Sequence, residues 1–185
     1  KAALYAGSYE RLWTKHYDLD AEIMDRLQNQ IPGYSMRMQE VTAAMLTPQI
    51  ERLEHIKNIH VENWNLLHSL VKDHANIEVP MPLPQVDSFC DTMQFHLVGL
   101  SREKADQFID VMKLEGIPMQ IFGAKRNARD YRQWEYVEAH KEELGDTIAN
   151  IEFACDLSLQ PHLTQDNIRI MAQVLHEVLA YINAQ

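Results

Sequence analysis

The feature that most limits how this 185-residue chain can fold is the long apolar-periodic stretch at residues 39–73. Apolar side chains recur there mostly every three or four positions, which predicts one long amphipathic helix. Pro48 interrupts the stretch. Because proline removes a backbone donor and clashes with the preceding turn, we expect a kink or a break near Leu46 and Thr47. A helix of this length needs other elements to cover its apolar face.

A proline-rich run follows the predicted helix. Residues 80–84 read Pro-Met-Pro-Leu-Pro, which favours extended backbone and prevents regular ladder hydrogen bonding at each proline. This run is the one candidate boundary in the sequence. We therefore expect two units, at residues 1–79 and 80–185.

The second unit reads as a small mixed layer. Alternating residues predict strands at 92–98 and 117–122, and Ser101 is placed to cap a helix between them. A short extended piece at 156–159 precedes Thr164, which is placed to cap a closing helix. This order of elements predicts an α+β fold with a small sheet.

The composition excludes several classes of protein. The 17 Lys and Arg residues against 27 Asp and Glu give a net charge of -10, which would repel nucleic-acid phosphates and anionic lipid. No apolar run is long enough to span a bilayer, and the first residues lack a signal-peptide pattern. We expect a cytoplasmic protein without nucleic-acid or membrane partners. The chain opens without Met inside an apparent helix, so we also expect it to be part of something longer.

A glycine-led turn at residues 33–40 delivers Ser35 and Arg37 just ahead of the long helix. A helix start leaves backbone N–H groups unpaired, and a hydroxyl and a forked guanidinium beside it complete a site for phosphate or carboxylate. The alternative is an ordinary capped helix start with a solvated arginine. Spacing alone leaves both interpretations open.

A second cationic stretch follows the strand predicted at 117–122. Residues 120–134 contain four cations and three aromatic side chains, a composition typical of an anion-binding loop. Arg126 or Arg129 would match a carboxylate, because the guanidinium fork fits that shape. The alternative is a solvated basic face.

Histidines and cysteines give weaker signals. His55 and His60 lie five residues apart rather than the four that bring two imidazoles together on a helix, so we expect no metal there but solvent or dimer-surface positions. His96 could approach a substrate, although packing explains it more simply. Neither Cys90 nor Cys155 has the sequence context of a thiol nucleophile.

Three phrases in order resemble the sugar aminotransferase family named for DegT, DnrJ, EryC and StrS. They are residues 33–44, Gly-Tyr-Ser-Met-Arg-Met-Gln-Glu-Val-Thr-Ala-Ala; residues 49–53, Gln-Ile-Glu-Arg-Leu; and residues 157–164, Leu-Ser-Leu-Gln-Pro-His-Leu-Thr. These are pyridoxal-phosphate enzymes of fold type I, and the resemblance covers the chain as their carboxy-terminal portion. It implies that the first unit ends a large domain with a connecting, dimer-contact helix, and that the second is the small domain.

The resemblance implies a homodimer in which the 33–40 turn enters the partner's active site. Ser35 takes the place of a family asparagine at the cofactor phosphate, and Arg37 faces the phosphate or the substrate. Phe122, with Arg126 and Arg129, falls in the family's substrate loop. There the family usually has a tyrosine-proline phrase, and this chain has Phe-Gly followed by cations. The departure puts the usual nucleotide-linked sugar in question and favours a sugar acid such as an octulosonate.

The family's chemistry needs a Schiff-base lysine and a carboxylate on the cofactor nitrogen. Both lie upstream of the portion seen here, so we expect no catalytic residue in it. The complete chain is expected to move an amino group from a donor such as glutamate to a keto-sugar, in sugar biosynthesis for cell-envelope polysaccharide. A non-catalytic dimerising or sensor module of the same fold is the alternative, and a helical adaptor is a third. The upstream lysine distinguishes the enzyme from the module.

Overall fold

A computed structural model describes residues 38–124, 130–134 and 144–184. Within these ranges the chain folds into helices packed on one face of a small antiparallel sheet. The helices are α1 Glu40–Ile50, α2 Leu53–Val71, α3 Arg102–Leu114, α4 Gly145–Phe153 and α5 Gln165–Asn183, with a 3-10 turn at Tyr131–Gln133. The strands are β1 Ile77–Glu78, β2 Thr92–Leu97, β3 Met119–Ile121 and β4 Ala154–Ser158. The predicted α+β class is confirmed.

The sheet of the described residues has the strand order β1-β2-β4-β3, and every neighbouring pair is antiparallel. The last strand in sequence, β4, therefore lies between β2 and β3. Phe95 pairs with Cys155, which also pairs with Ile121, so one row of buried side chains crosses the middle of the sheet. Alternation along β2 places Met93, Phe95 and Leu97 on the buried face.

Three helices cover that face. Leu67 of α2, Phe108 of α3 and Leu179 of α5 are fully buried and belong to the same hydrophobic cluster as the strand residues Phe95 and Leu157. Because α2 contributes to this cluster, the first predicted unit packs against the second across the proline-rich run. The boundary at residue 80 stays a prediction about the complete chain.

The predicted long helix is interrupted, but not where we expected. The helix continues through Leu46 and Thr47 and ends at Ile50, and α2 begins at Leu53. In the turn before Pro48, the Thr47 hydroxyl donates a hydrogen bond to the Ala43 carbonyl at 2.9 Å. This bond adds a side-chain donor to the turn in which proline supplies no backbone N–H. The chain then closes a tight turn in which Arg52 N–H donates to the Gln49 carbonyl at 3.0 Å.

Every residue of α1 is exposed, whereas α4, which also has no fully buried residue, has half-buried side chains at Ile151 and Phe153. Its apolar side chains face solvent in the single chain: Val41 is 69% exposed, Met45 64% and Ile50 68%. α2 instead buries Trp64 and Leu67 against the core. The apolar residues therefore form a core face in α2, whereas those of α1 lie on different sides of the helix and are uncovered.

Candidate functional site

The sheet face turned away from the helices is polar, and it carries the first group of candidate site residues. Gln94 and Gln120 are exposed, and each pairs across the sheet with Asp156 on β4. One row further along, His96 pairs with Ala154. This face has hydrogen-bonding groups and little apolar cover, so it is the face on which a polar ligand could be contacted.

Phe122 extends β3 toward this face. Its backbone N–H donates to the Ala154 carbonyl at 2.9 Å, and its side chain is half-buried. Because Ile121 points into the core, alternation places Phe122 on the polar face. Phe122 and His96 therefore flank Ala154, about two strand spacings or ~10 Å apart. The structure brings these two sequence-predicted candidates to one end of the sheet.

The other predicted site residues lie outside the described residues. Ser35 and Arg37 precede residue 38, and Arg126 and Arg129 fall between 124 and 130. The described part therefore contains none of the predicted cofactor contacts. Among the predicted substrate contacts it contains Phe122.

Arg132, one of the four cations in the 120–134 stretch, is held by a carboxylate. Its Nε donates to both oxygens of Asp130, at 2.9 and 3.1 Å, and its Nη2 donates to Oδ2 at 2.8 Å. Asp130 is only 3% exposed, and it also accepts from the Arg132 backbone N–H at 3.0 Å. Hydrogen bonding to Asp130 raises the pKa of Arg132 above its ordinary value. The interpretation of this stretch as a solvated basic face is wrong at Arg132.

The same guanidinium reaches two further elements. Nη2 donates to the Gly123 carbonyl and Nη1 to Glu152 Oε1, each at 3.4 Å. Arg102 of α3 donates to the Glu152 carbonyl at 3.0 Å from the other side. We call the set Gly123, Asp130, Arg132 and Glu152 the loop staple, because it joins the described residues on either side of segment 125–129 to the end of α4.

Position 123 in the loop staple has room only for a glycine. A Cβ built on it would lie 2.9 Å from the Ile151 carbonyl oxygen and 3.0 Å from the Glu152 Cα, both backbone atoms that cannot move aside cheaply. Its N–H donates to the same Ile151 carbonyl at 2.8 Å. The Phe-Gly phrase, read from the sequence as a departure from the family, is thus a close approach between two backbone segments.

Sequence reasoning did not find the staple, although a signal was present. Asp130 and Arg132 lie two residues apart, a spacing at which an aspartate can accept from a backbone N–H and from the side chain beyond it. That local geometry begins the 3-10 turn at Tyr131–Gln133. The burial of Asp130 depends on contacts with distant elements and has no counterpart in the local sequence.

His60 contradicts its prediction. It is 5% exposed rather than solvated, and its ring packs on Phe89 with the centroids 5.3 Å apart. His55, one turn earlier, is exposed. Burial raises the pKa of the Cys155 thiol to about 12, so this thiol stays protonated and is a poor nucleophile. Among the described residues, no three His, Cys, Asp or Glu side chains are grouped to hold a metal ion.

Comparison with solved structures identifies the class of fold. The chain matches 3-amino-5-hydroxybenzoic acid synthase with a TM-score of 0.65 at 20% identity, covering 82% of this chain and 41% of that one. It matches the Helicobacter pylori aminotransferase PseC, involved in the biosynthesis of pseudoaminic acid, with a TM-score of 0.62 at 14% identity, covering 82% and 40%. It matches the E. coli GDP-4-keto-6-deoxy-D-mannose-3-dehydratase with bound hydrated PLP with a TM-score of 0.61 at 17% identity, covering 78% and 37%.

These likenesses establish the fold as part of a fold type I pyridoxal-phosphate enzyme. The chain spans about two fifths of the length of these solved relatives. The comparison with curated proteins gives no match.

The sequence then gives the family. A profile of the DegT/DnrJ/EryC1/StrS aminotransferase family matches residues 10–175, which is most of the chain. The chain belongs to this family, and the resemblance carried by the 33–44 and 157–164 phrases is confirmed. Pyridoxal phosphate is the family's cofactor, as expected from the sequence. In the part of the chain that the structure describes, no helix is long and apolar enough to cross a membrane.

Proposed function

We propose that the complete protein is a cytoplasmic, pyridoxal-phosphate-dependent aminotransferase that moves an amino group from an amino-acid donor such as glutamate to a keto-sugar. The observation that carries the proposal is the family match over residues 10–175, which includes the glycine-led turn. The names of two solved relatives support a sugar substrate, since one acts in pseudoaminic acid biosynthesis and the other on a nucleotide-linked keto-sugar. The product would serve sugar biosynthesis for cell-envelope polysaccharide.

The proposal includes a homodimer with shared active sites. The uncovered apolar side chains of α1 support a subunit contact at this helix, because several large apolar side chains left in water along one helix are costly. The turn that carries Ser35 and Arg37 immediately precedes α1. A contact through α1 would bring that turn close to the partner, where Ser35 would donate to the cofactor phosphate and Arg37 would bind phosphate or substrate.

The substrate side of the site would be formed by the polar sheet face and the following loop. Phe122 would pack on the sugar ring, and Arg126 and Arg129 would pair with a carboxylate or phosphate. His96 would contact a hydroxyl from the neighbouring strand. When bound, the cofactor would supply the electron sink for moving the amino group, and its lysine partner would belong to residues upstream of this portion. Residues 1–79 and 80–185 would be the end of the large domain and the small domain.

The test uses the complete protein. Glutamate should shift the pyridoxal absorbance band, and a keto-sugar should restore it. Two acceptors would be compared: GDP-4-keto-6-deoxy-D-mannose, and an octulosonate oxidised to carry a second carbonyl group. Arg37→Met should weaken acceptor use by at least about tenfold, since a charge-assisted contact is lost. Arg169→Met is the matched control, because Arg169 is 53% exposed and pairs with Asp166 on the surface of α5.

The alternative is a non-catalytic dimerising or sensor module. A complete chain that lacks the upstream lysine, or that shows no absorbance change with glutamate and with either acceptor, would support the module and contradict the enzyme. A band that shifts with glutamate and returns with one acceptor would support the enzyme and define its substrate.

A further inference from the structure

The arginine of the loop staple is bonded to other groups of the protein. All three guanidinium nitrogens of Arg132 have oxygen partners, on Asp130, Glu152 and the Gly123 carbonyl. Two carboxylates, those of Asp130 and Glu152, thus hold this cation. Arg132 must therefore act on the structure around it rather than on a ligand.

What Arg132 holds is the start of the loop. Gly123 is fixed from three sides: its N–H donates to Ile151, its carbonyl accepts from Arg132, and it has no room for a side chain. Phe122 is the preceding residue, and its N–H is bonded to Ala154. A shift of Gly123 therefore displaces Phe122 relative to His96 on the polar face.

The staple also fixes the other end of the loop. Asp130 is buried and tied to Arg132 both through the backbone N–H and through the side chain. Arg132 in turn reaches α4 at Glu152, whose backbone carbonyl is held by Arg102 from α3. The two ends of the loop are thus fastened to one another and to two helices.

We propose that Arg132, through Asp130 and Gly123, is a positioning residue that fixes Phe122 and the ends of the following loop and thereby sets affinity for the sugar acceptor. This inference rests on the proposed function. It assigns to Arg132 no contact with substrate or cofactor. It places the effect on the acceptor half of the reaction, because Gly123 of the loop staple directly follows Phe122, the proposed contact with the sugar.

The test separates the two halves of transamination in the complete, cofactor-loaded enzyme. The donor half is followed by the absorbance change with glutamate, and the acceptor half by its reversal with the two keto-sugars named above. The double variant Asp130→Asn with Arg132→Gln removes both charges of this pair, so it avoids the buried carboxylate without its arginine that Arg132→Met alone would leave. Arg132→Lys is the conservative variant, which keeps the charge but loses the fork.

The double variant should raise the acceptor KM by about tenfold or more, because displacement of a substrate-positioning group by ~1 Å has effects of that size or larger. The donor half-reaction should stay within about twofold of wild type. The acceptor KM of Arg132→Lys should lie between that of wild type and that of the double variant. Arg169→Met, which removes the surface pair with Asp166, should leave both halves unchanged. Equal losses in both halves, or no change in either, would overturn the proposal.

Amide hydrogen exchange at Phe122 and Gly123 gives a readout independent of activity. Both N–H groups are bonded, at 2.9 and 2.8 Å, and both should exchange faster in the double variant. Gly123→Ala should do the same, whereas Gly145→Ala should not, because a Cβ there meets nothing within 4 Å. If wild type aminates neither sugar, the proposed function fails, and the positioning role is judged by exchange: faster exchange supports it and unchanged exchange overturns it.

Discussion

His74 is held in its neutral form by its surroundings. Its Nδ1 accepts from the Asn76 backbone N–H at 3.1 Å, which requires an unprotonated nitrogen, and its ring lies 5.0 Å from that of His176 on α5. Burial lowers the pKa of His74, and the positive charge that His176 can carry lowers it further. Asn76 also donates to the Val98 carbonyl and accepts from Asn183. The imidazole thus supports the junction of β1, β2 and α5.

This arrangement predicts the sign of a pH dependence. The folded pKa of His74 lies below its unfolded value of 6.5, so between the two the unfolded chain binds more protons. Stability should fall as the pH drops below 6.5 and level off once the folded pKa is passed. The contribution of one proton is at most about 1.4 kcal/mol per pH unit. The free energy of unfolding, measured by urea denaturation at pH 7.5 and at pH 5, tests this dependence.

His74→Gln should flatten this dependence, since glutamine can accept from Asn76 but does not titrate. His55→Gln is the matched control, because His55 is exposed on α2. A pH profile that is the same in His74→Gln as in wild type would contradict the assignment.

Single residues were predictable from the sequence where their role is local. Ser101 and Thr164 cap helices as the spacing predicted, whereas Phe122, predicted as the last residue of a strand, lies just beyond the end of β3. His60 was misplaced because its burial comes from Phe89, on a segment remote in sequence. Asp130 was missed for a related reason, since periodicity shows which residues are apolar and not which polar ones are buried with a partner.

At the scale of elements, strong local signals gave the right structures and weak ones did not. β2 and α5 lie where alternation and helical periodicity placed them. β1 has two residues and α4 nine, with no buried residue in α4, so neither carries a clear pattern. The strand expected at 117–122 is shorter and spans Met119–Ile121. Only these three residues pair with β4, which is the one neighbouring strand of β3 in the sheet of the described residues.

The cap of α5 is a local device with a measurable effect. Thr164 Oγ1 accepts from the Asn167 N–H at 3.2 Å, and Asn167 Oδ1 accepts from the Thr164 N–H at 2.9 Å. Thr164→Ala removes one acceptor from the first turn of a helix that supplies Leu175 and Leu179 to the core. We expect a loss of about 1 kcal/mol in the free energy of unfolding.

Chemical denaturation would measure this loss. Thr164→Ser keeps the hydroxyl and should stay close to wild type. If Thr164→Ala and Thr164→Ser were equally stable, the capping hydrogen bond would not contribute.

At the scale of the whole molecule, the family and the α+β class followed from ordered phrases and periodicity, whereas the strand order did not. The position of β4 between β2 and β3 depends on pairing between segments far apart in sequence, such as Phe95 with Cys155. The same limit applies to the site. The sequence placed Phe122 in a substrate loop, but the ties from Arg132 to Gly123 and Glu152 come from three separate segments.

The surface of α1 bears on the molecule's assembly. Val41 and Met45 lie one turn apart, as do Leu46 and Ile50, and Met45 is 64% exposed. The two pairs lie on different sides of α1, and this much exposed apolar surface is costly in water unless other surfaces cover it. If one of those surfaces is the partner's α1 region, the proposed shared site follows, since residues 33–37 would be carried to the partner by the same contact.

Met45→Glu tests this in the complete protein. A carboxylate buried at the subunit contact without a partner should weaken dimerisation by at least about tenfold, measured by sedimentation velocity over a concentration series. Leu114→Glu is the matched control: Leu114 is 84% exposed at the end of α3 and should leave the dimer intact. Dimer dissociation in Met45→Glu should also reduce acceptor turnover, because Arg37 would then be withdrawn from the neighbouring site. An unchanged dimer in Met45→Glu would place the subunit contact elsewhere and remove the support that α1 gives to a shared site.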